Sequence, residues 1–341
     1  MGKDNFFTQI VYKNYRHNWL YEENKMKRNS IKTITMCFVL LLLLSACAPA
    51  QQAEHGGTIS ISGAFALYPM MTRWAEEYTN LNPGVVFDVS AGGAGKGMTD
   101  ALSDAVEIGM VSRTISDEEE AKGAYWVPVV IDAVFPTISD QNPIKVKLLA
   151  SGLTREDFVN IFMTGEYTTW GDVIGDASVT EEIHIYTRSD ACGAADTWAK
   201  YLGGAQEDLL GIGIGSDPAL LDAVIKDPYG IGYNNLNYAF DITTGVNVTG
   251  SLVLSIDINE NGVTDTEELL TSTDQAVRAV AEGKYPSPPA RELNLVTHGK
   301  PEGIVREFIV WILTEGQQYV SESGYISLTA DQLAEALQKV Q

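Results

Sequence analysis

The chain has 341 residues, and its 45 Asp and Glu outnumber its 23 Lys and Arg, which gives a net charge of −22 at pH 7. A surface this negative repels nucleic acids and anionic lipids, so neither is expected as a partner. Three cysteines and four scattered histidines exclude a disulfide framework and a histidine-based metal site.

The N-terminal segment has the pattern of a secretory signal. Residues 1–25 precede a second methionine, Met26, and are interpreted as an upstream start outside the fold. Residues 26–46 carry a basic region and an apolar run too short to span a bilayer, which is typical of a signal peptide. Residues 44–47 resemble a bacterial lipobox, so we expect cleavage before Cys47, a lipid on its thiol, and a tether over residues 47–55. The alternative is a plain signal peptide in which Cys47 is incidental.

Strands and helices alternate in the first half of the remaining sequence. Alternation with period two predicts strands, and apolar residues at helical spacing predict a buried helix face. The predicted strands cover residues 58–62, 85–89, 107–112 and 126–134, and the apolar helix face holds Leu67, Met70, Met71, Trp74 and Tyr78. Because this βαβαβ order favours a parallel sheet, binding loops are expected at the carboxyl ends of the strands.

Residues 187–198 carry the most informative local pattern, in which a strand runs through a small-residue turn into a helix that starts near Gly193. A helix N-terminus presents backbone N–H groups and a positive dipole to an anion. Arg188 precedes the turn, where its guanidinium can bind a tetrahedral oxyanion through two parallel hydrogen bonds. Residues 63–68 and 91–97 have the same organisation, and three such turns facing one cleft would form an anion cage. The alternative is an ordinary loop with a surface arginine.

A second kind of site is predicted at residues 257–268. Oxygen-bearing side chains occupy loop positions 1, 3, 5, 9 and 12, a glycine occupies position 6 and a carbonyl is available at position 7, which is the calcium spacing of an EF-hand. The predicted ligands are Asp257, Asn259, Asn261, Val263, Asp265 and Glu268. We expect a structural Ca²⁺ ion here and no catalytic cofactor. The alternative is an acidic surface loop.

The C-terminal region continues the α/β pattern. A proline-rich turn leads into a strand at residues 293–296, and helices follow around residues 304–312 and 328–337. Cys192, at a helix N-terminus near Arg188, also raises the alternative of a nucleophilic enzyme with His184 as base. No orienting carboxylate is recognisable in the sequence, and strand alternation separates His184 from its neighbours, so we expect no enzyme.

Several of these segments together resemble the phosphate-binding proteins of bacterial ABC phosphate importers, over essentially the whole sequence after the signal. The similar segments are residues 62–69, 91–97, 108–115, 161–173, 188–194 and 230–233. The resemblance implies an α/β, two-lobed type II periplasmic-binding-protein fold in which each lobe has a mixed, mainly parallel sheet. Lobe 1 would combine residues 56–134 with 290–341, and lobe 2 would comprise residues 135–289.

The resemblance also implies the function and the site. A monomeric, lipid-anchored receptor would capture an inorganic oxyanion, phosphate above all, and deliver it to a membrane permease. The implied ligand-binding residues are Ala66, Leu67, Ala94, Gly95, Arg113, Arg188, Cys192, Gly193 and Ala194. The alternatives are another oxyanion (sulfate, molybdate or tungstate) and a sensor or envelope interaction module without transport.

The sequence departs from the family pattern at the ligand itself. Cys192 and Ala194 replace hydroxyl residues, and Ala94, Ala66 and Leu67 stand where small hydroxylated residues are common. Each lost hydroxyl removes a donor, and a hydrogen bond to a charged group is worth about 1.5–3 kcal/mol. Arg113 also stands where some members have an aspartate that accepts the proton of hydrogen phosphate. The class of oxyanion is therefore better supported than the identity of the anion.

Overall fold

The computed structural model describes residues 56–341, so the predicted upstream start, signal, lipidation site and tether lie outside the described residues. The strands are β1 (Gly57–Gly63), β2 (Val85–Ala91), β3 (Ile108–Val111), β4 (Ala124–Ser139), β5 (His184–Arg188), β6 (Ile212–Ile214), β7 (Gly230–Asn235), β8 (Phe240–Asp241), β9 (Val246–Asn247), β10 (Ser251–Val253) and β11 (Ala290–His298).

The α-helices are α1 (Tyr68–Leu81), α2 (Ala94–Leu102), α3 (Asp117–Ala121), α4 (Lys145–Ser151), α5 (Arg155–Val159), α6 (Trp170–Ile174), α7 (Gly193–Leu202), α8 (Asp217–Lys226), α9 (Leu236–Ala239), α10 (Thr273–Ala281), α11 (Gly303–Leu313) and α12 (Ala330–Val340). A π-helix covers Asn160–Thr164, and 3₁₀ helices cover Gln206–Asp208 and Glu315–Tyr319. No helix among residues 56–341 is both long and apolar enough to cross a membrane.

Nine strands form one sheet of mixed direction, in the order β2-β1-β3-β11-β4-β7-β5-β6 with β10 also paired to β4, while β8 and β9 form a separate pair. The predicted parallel arrangement is found for β1 with β2 and β3, and again for β5 with β6 and β7. In contrast, β4 runs antiparallel to β11, β7 and β10, and β11 runs antiparallel to β3. The sheet is therefore mixed, with its parallel strands at the two ends and the antiparallel strands in the middle.

Strand β4 is longer than predicted because its buried pattern continues through Ser139. Its first half pairs with β11, and its second half pairs with β7 and β10. Each half is buried in a different hydrophobic cluster, one built mainly from residues 59–130 and 293–340 and the other from residues 133–290. All described residues nevertheless belong to one compact unit, so the division into two lobes stays a prediction.

The helix predicted to follow the turn after Arg188 forms where expected. Helix α7 begins at Gly193 and ends at Leu202, and the next residue, Gly203, adopts the left-handed conformation that terminates helices. Helix α1 carries the predicted apolar face, and Met70, Met71 and Trp74 are fully buried. Helices α1 and α2 follow the parallel strands β1 and β2, whereas α7 follows β5, which runs in the opposite direction within the sheet.

Candidate anion-binding site

The turns before α2 and α7 are in direct contact. The backbone N–H of Gly95 donates to the carbonyl of Ala191 over 2.9 Å. A Cβ atom on Gly95 would lie 2.7 Å from the Cβ of Ala191, and one on Gly93 would lie 2.6 Å from a carboxylate oxygen of Asp190. Only glycine permits this approach, so the glycine-rich turn is required to bring two helix N-termini together.

The turn after β1 completes the same cluster. The backbone N–H groups of Gly92 and Gly93 both donate to the carbonyl of Gly63. The Phe65 ring lies 5.4 Å from the Arg188 guanidinium carbon, a cation–π distance. The structure thus brings the three predicted turns together.

The backbone after β3 packs against the first residue of α7. A Cβ atom on Gly193 would lie 2.1 Å from the hydroxyl oxygen of Ser112 and 2.2 Å from its carbonyl oxygen. Arg113, the next residue, points its guanidinium to Glu119 on α3 through two hydrogen bonds of 2.9 and 2.7 Å. Burial raises the pKa of Glu119, but Arg113 outweighs burial and holds the pKa at about 2. Arg113 thus makes a bidentate ion pair with Glu119 beside the three turns.

Arg188 is the cation at the centre of the cluster. Its side chain is 1% exposed, and it makes ion pairs with Asp190 and with the buried Asp217. The two bonds to Asp190 measure 2.8 and 2.7 Å and involve Nε and one terminal nitrogen, and the other terminal nitrogen binds Asp217. A guanidinium has five N–H donors in a planar fork, so these three bonds orient Arg188 and leave one N–H on each terminal nitrogen.

A buried ionic network extends from Arg188 and was missed by the sequence analysis. Asn235 donates from Nδ2 to Asp217 over 2.6 Å and accepts from Arg291. Arg291 also donates to the carbonyl of Ser112 over 3.1 Å and lies 3.3 Å from Asp132. Burial raises the pKa of Asp132 to about 6, although Arg291 opposes the shift. Alternating positive and negative groups therefore link the anion turns to β4 and β11.

One signal in the sequence could have revealed part of this network. Asp132 is the single charged residue in the otherwise uncharged run 127–139, and a lone carboxylate inside a buried strand requires a partner. Asp217 gives no comparable signal, because an acidic residue in the first turn of a helix is usually explained by the helix dipole.

The remaining predicted ligand residues line the cluster with apolar side chains. Ala66, Leu67, Ala94 and Ala194 are each at most 2% exposed, so each can contribute only its backbone groups to a ligand. Donors to an anion in these turns are therefore sought in Arg188 and in backbone N–H groups at the helix starts other than those of Gly95 and Ala195, which are already bonded.

Cys192 caps α7 rather than acting as a nucleophile. Its Sγ accepts the N–H of Ala195 over 3.4 Å, and burial raises the pKa of its thiol to about 12 despite the nearby Arg188. His184 is bound through Nδ1 to Asp227 over 2.6 Å, so it is not a base for Cys192. A buried thiol whose pKa is raised is poorly suited to act as a nucleophile.

The predicted calcium loop adopts a tightly hydrogen-bonded turn. Asp257 accepts the backbone N–H groups of Asn261 and Gly262 over 3.2 and 2.8 Å, and Gly262 has a φ of 76°. Glu268 accepts the N–H groups of Ile258 and Asp265 over 2.8 and 3.1 Å. Within residues 56–341, no three His, Cys, Asp or Glu side chains are gathered closely enough to hold a metal ion.

The mixed sheet and the helix N-termini beside a buried arginine fit the fold of periplasmic binding proteins. A family model described as the PBP superfamily domain matches residues 48–315. The chain belongs to this superfamily, and the predicted periplasmic-binding-protein fold is confirmed.

The individual relatives share only about a quarter of their residues with this chain. The phosphate-binding protein PstS of Bacillus subtilis is 24% identical over 318 residues, which cover 89% of this chain and 96% of the relative. The PstS protein of Pseudomonas aeruginosa is 26% identical over 321 residues, with 86% and 90% covered. These relatives are binding proteins, and the expectation that the chain is not an enzyme is confirmed by them.

Solved structures show the same fold. A Clostridium perfringens protein assigned as a phosphate ABC transporter substrate-binding protein, solved with phosphate bound, has a TM-score of 0.64 at 22% identity, covering 80% of this chain and 100% of its own. An ABC-type phosphate transport receptor from Vibrio cholerae has a TM-score of 0.58 at 18% identity, covering 79% and 100%.

Proposed function

We propose that this chain is an extracytoplasmic receptor that binds an oxyanion, phosphate above all, and delivers it to an ABC import permease. The observation that carries the proposal is Arg188, which is buried, oriented by two carboxylates and placed beside the N-termini of α7 and α2. A buried, oriented guanidinium with N–H groups to spare is suited to an oxyanion. The names of the relatives support phosphate as the anion.

The carboxylates around Arg188 favour phosphate over sulfate. Asp190 and Asp217 are hydrogen-bond acceptors next to the cation, and a fully ionised sulfate has no proton to donate to an acceptor. Hydrogen phosphate can donate one proton while its other oxygens accept from Arg188. This arrangement supplies an acceptor even though Arg113 stands where some relatives have an aspartate.

Calorimetry of the purified chain against phosphate, sulfate, molybdate and tungstate tests the proposal. We expect phosphate to bind at least about tenfold more tightly than sulfate, a difference of about 1.4 kcal/mol. Equal affinity for the two anions would contradict the role of the carboxylates. If none of the four anions produces a heat of binding, the proposed oxyanion-receptor function is wrong.

We also propose that Cys47 carries a lipid that holds the receptor at the outer face of the membrane. The support is the pattern of residues 26–47, in which a basic region and a short apolar run precede the cysteine. We propose that the receptor is a monomer and delivers its ligand to a permease, in line with the similar ABC-type phosphate transport receptor.

A further proposal is that residues 257–268 bind a structural Ca²⁺ ion. Support comes from the twelve-residue spacing and from the attachment of the loop to the fold, since Thr264 donates to the carbonyl of Ala150 over 2.8 Å. A chelator is expected to lower the melting temperature by about 5 °C, because an ion at about 100 times its Kd adds about 2.7 kcal/mol and each kcal/mol shifts Tm by roughly 2 °C.

A matched pair of variants separates calcium binding from loop charge. Glu268→Gln removes the predicted bidentate ligand, and the calcium-dependent shift should disappear. Glu267→Gln changes the adjacent residue, which makes only an exposed ion pair with Lys284, and should keep the full shift. A chelator that leaves the melting temperature of the unmodified chain unchanged would refute the calcium site.

A further inference from the structure

One side chain outside the anion site bonds to the turn between Arg188 and α7. Residues 189–192 form this turn, named the α7 turn, which joins β5 to α7. Gln206, the first residue of a 3₁₀ helix, donates from Nε2 to the carbonyl of Asp190 over 2.6 Å. Its Oε1 accepts the backbone N–H of Cys192 over 3.3 Å. The side-chain amide thus pairs with a carbonyl and with the N–H two residues later, as a peptide group of a neighbouring strand would.

The two ends of the α7 turn are fixed by backbone contacts. The N–H of Ser189 donates to the carbonyl of Ile214 over 3.1 Å, and the carbonyl of Cys192 accepts the N–H of Asp196 over 3.1 Å. Within residues 56–341, Gln206 is the only side chain that hydrogen-bonds to the backbone between these ends. Because buried backbone groups need partners, the middle of the turn depends on this amide.

Gln206 is presented to the turn from an anchored segment. Asp208 accepts the N–H of Ala205 over 2.8 Å, and the N–H of Leu210 donates to the carbonyl of Phe162 over 2.7 Å. The Gln206 side chain itself is half-buried. Contacts on both sides of Gln206 therefore hold its amide in one place against the turn.

The same turn makes two contacts of the anion site through its other groups. The carboxylate of Asp190 binds Arg188 over 2.8 and 2.7 Å, and the carbonyl of Ala191 accepts the N–H of Gly95 at the start of α2 over 2.9 Å. These groups are separated from the two Gln206 bonds by only one or two backbone bonds. A rotation of the backbone at residues 190–192 would therefore displace both contacts together.

Gln206 also determines which N–H groups at the start of α7 remain free. The N–H of Cys192 is turned to Gln206, and that of Ala195 is bonded to the Cys192 thiol. The N–H groups of Gly193 and Ala194 lie between them, and neither has an acceptor within residues 56–341. Two adjacent free N–H groups at a helix start are suited to an oxyanion.

We propose that Gln206 is a positioning residue of the oxyanion site. It fixes the α7 turn so that Asp190 orients Arg188, and so that Gly193 and Ala194 direct their N–H groups to the ligand. This inference rests on the proposed oxyanion-receptor function. Gln206 acts through the turn and not on the anion, since both ends of its amide are bonded to the backbone.

Calorimetry of two variants with inorganic phosphate tests the inference. Gln206→Met keeps the length of the side chain and removes both hydrogen bonds, so phosphate affinity should fall about tenfold. Gln206→Glu keeps an acceptor for the N–H of Cys192 but turns a carboxylate to the carbonyl of Asp190. At pH 8 its affinity should therefore fall by at least as much.

The pH dependence separates positioning from general damage to the fold. As the pH falls to 5, part of the carboxyl introduced by Gln206→Glu is protonated and can donate to the carbonyl of Asp190. Its loss of affinity, relative to the unmodified chain at the same pH, should then shrink at least about threefold. The loss in Gln206→Met should be the same at both pH values, because methionine has no proton to gain.

Gln318→Glu is the matched control. Gln318 is exposed and also donates from Nε2 to a backbone carbonyl, that of Glu315, over 2.8 Å. This variant should bind phosphate like the unmodified chain at both pH values. If phosphate binds and Gln206→Met keeps the full affinity, or if the loss in Gln206→Glu is the same at both pH values, the inference is wrong and the receptor function stands. If the unmodified chain binds no oxyanion, the receptor function and this inference are both wrong.

Discussion

Replacing Arg188 with methionine is expected to reduce oxyanion affinity by at least about a hundredfold. Two hydrogen bonds from a charged donor would be lost, and each is worth about 1.5–3 kcal/mol. The change is also expected to destabilise the fold by about 3–5 kcal/mol, because it leaves the buried Asp217 without its cation. Calorimetry gives the first effect, and denaturant unfolding gives the second.

A second substitution separates the two effects of Arg188→Met. Combining it with Asp217→Asn removes the uncompensated buried carboxylate, so the free energy of unfolding should recover in part. Oxyanion binding should not recover, since the guanidinium is still absent. A double variant that regains binding would show that the affinity loss came from the damaged fold and not from a lost ligand contact.

Replacing Gly193 with alanine is expected to have the next largest effect. The added Cβ would lie 2.1 Å from Oγ and 2.2 Å from the carbonyl oxygen of Ser112, so the buried backbone after β3 must move. Overpacking of this kind costs about 1–3 kcal/mol in unfolding free energy. The same displacement moves the N-terminus of α7 away from Arg188's partners, so oxyanion affinity should fall by about tenfold or more.

Gly215→Ala is the matched control for Gly193→Ala. A Cβ atom there would lie 3.9 Å from its nearest neighbour, the hydroxyl oxygen of Ser189, which is an ordinary contact. The control should unfold and bind like the unmodified chain. Equal melting temperatures and equal affinities for Gly193→Ala and Gly215→Ala would contradict the close contact between α7 and the residues after β3.

The local elements were predictable because their signals are local. The alternation of residues 58–62 and 85–89 determines β1 and β2, and the apolar spacing from Leu67 to Tyr78 determines the buried face of α1. The turn at residues 188–193 likewise defines the start of α7, since small residues there cannot continue the strand. These features depend on neighbours in sequence, so sequence alone reveals them.

The partners of charged residues depend on distant segments and were not predictable. The sequence suggests Arg113 as a ligand-binding residue, yet its guanidinium is paired with Glu119. Asp132, Asp217 and Arg291 were not singled out at all, although they form the buried network behind Arg188. Charge pairing across 29 residues between Arg188 and Asp217 leaves no periodic trace in the sequence.

By itself, the sequence determined the order of the elements from β1 to β3, the position of three strand-to-helix turns and the arginine before one of them. Only the tertiary structure decided that the middle strands run antiparallel, that the glycines bring the turns into contact, and that Arg188 is held by two carboxylates. The physical reason is that backbone preference and apolar periodicity act over a few residues, whereas burial of charge is decided by segments that meet only in the fold.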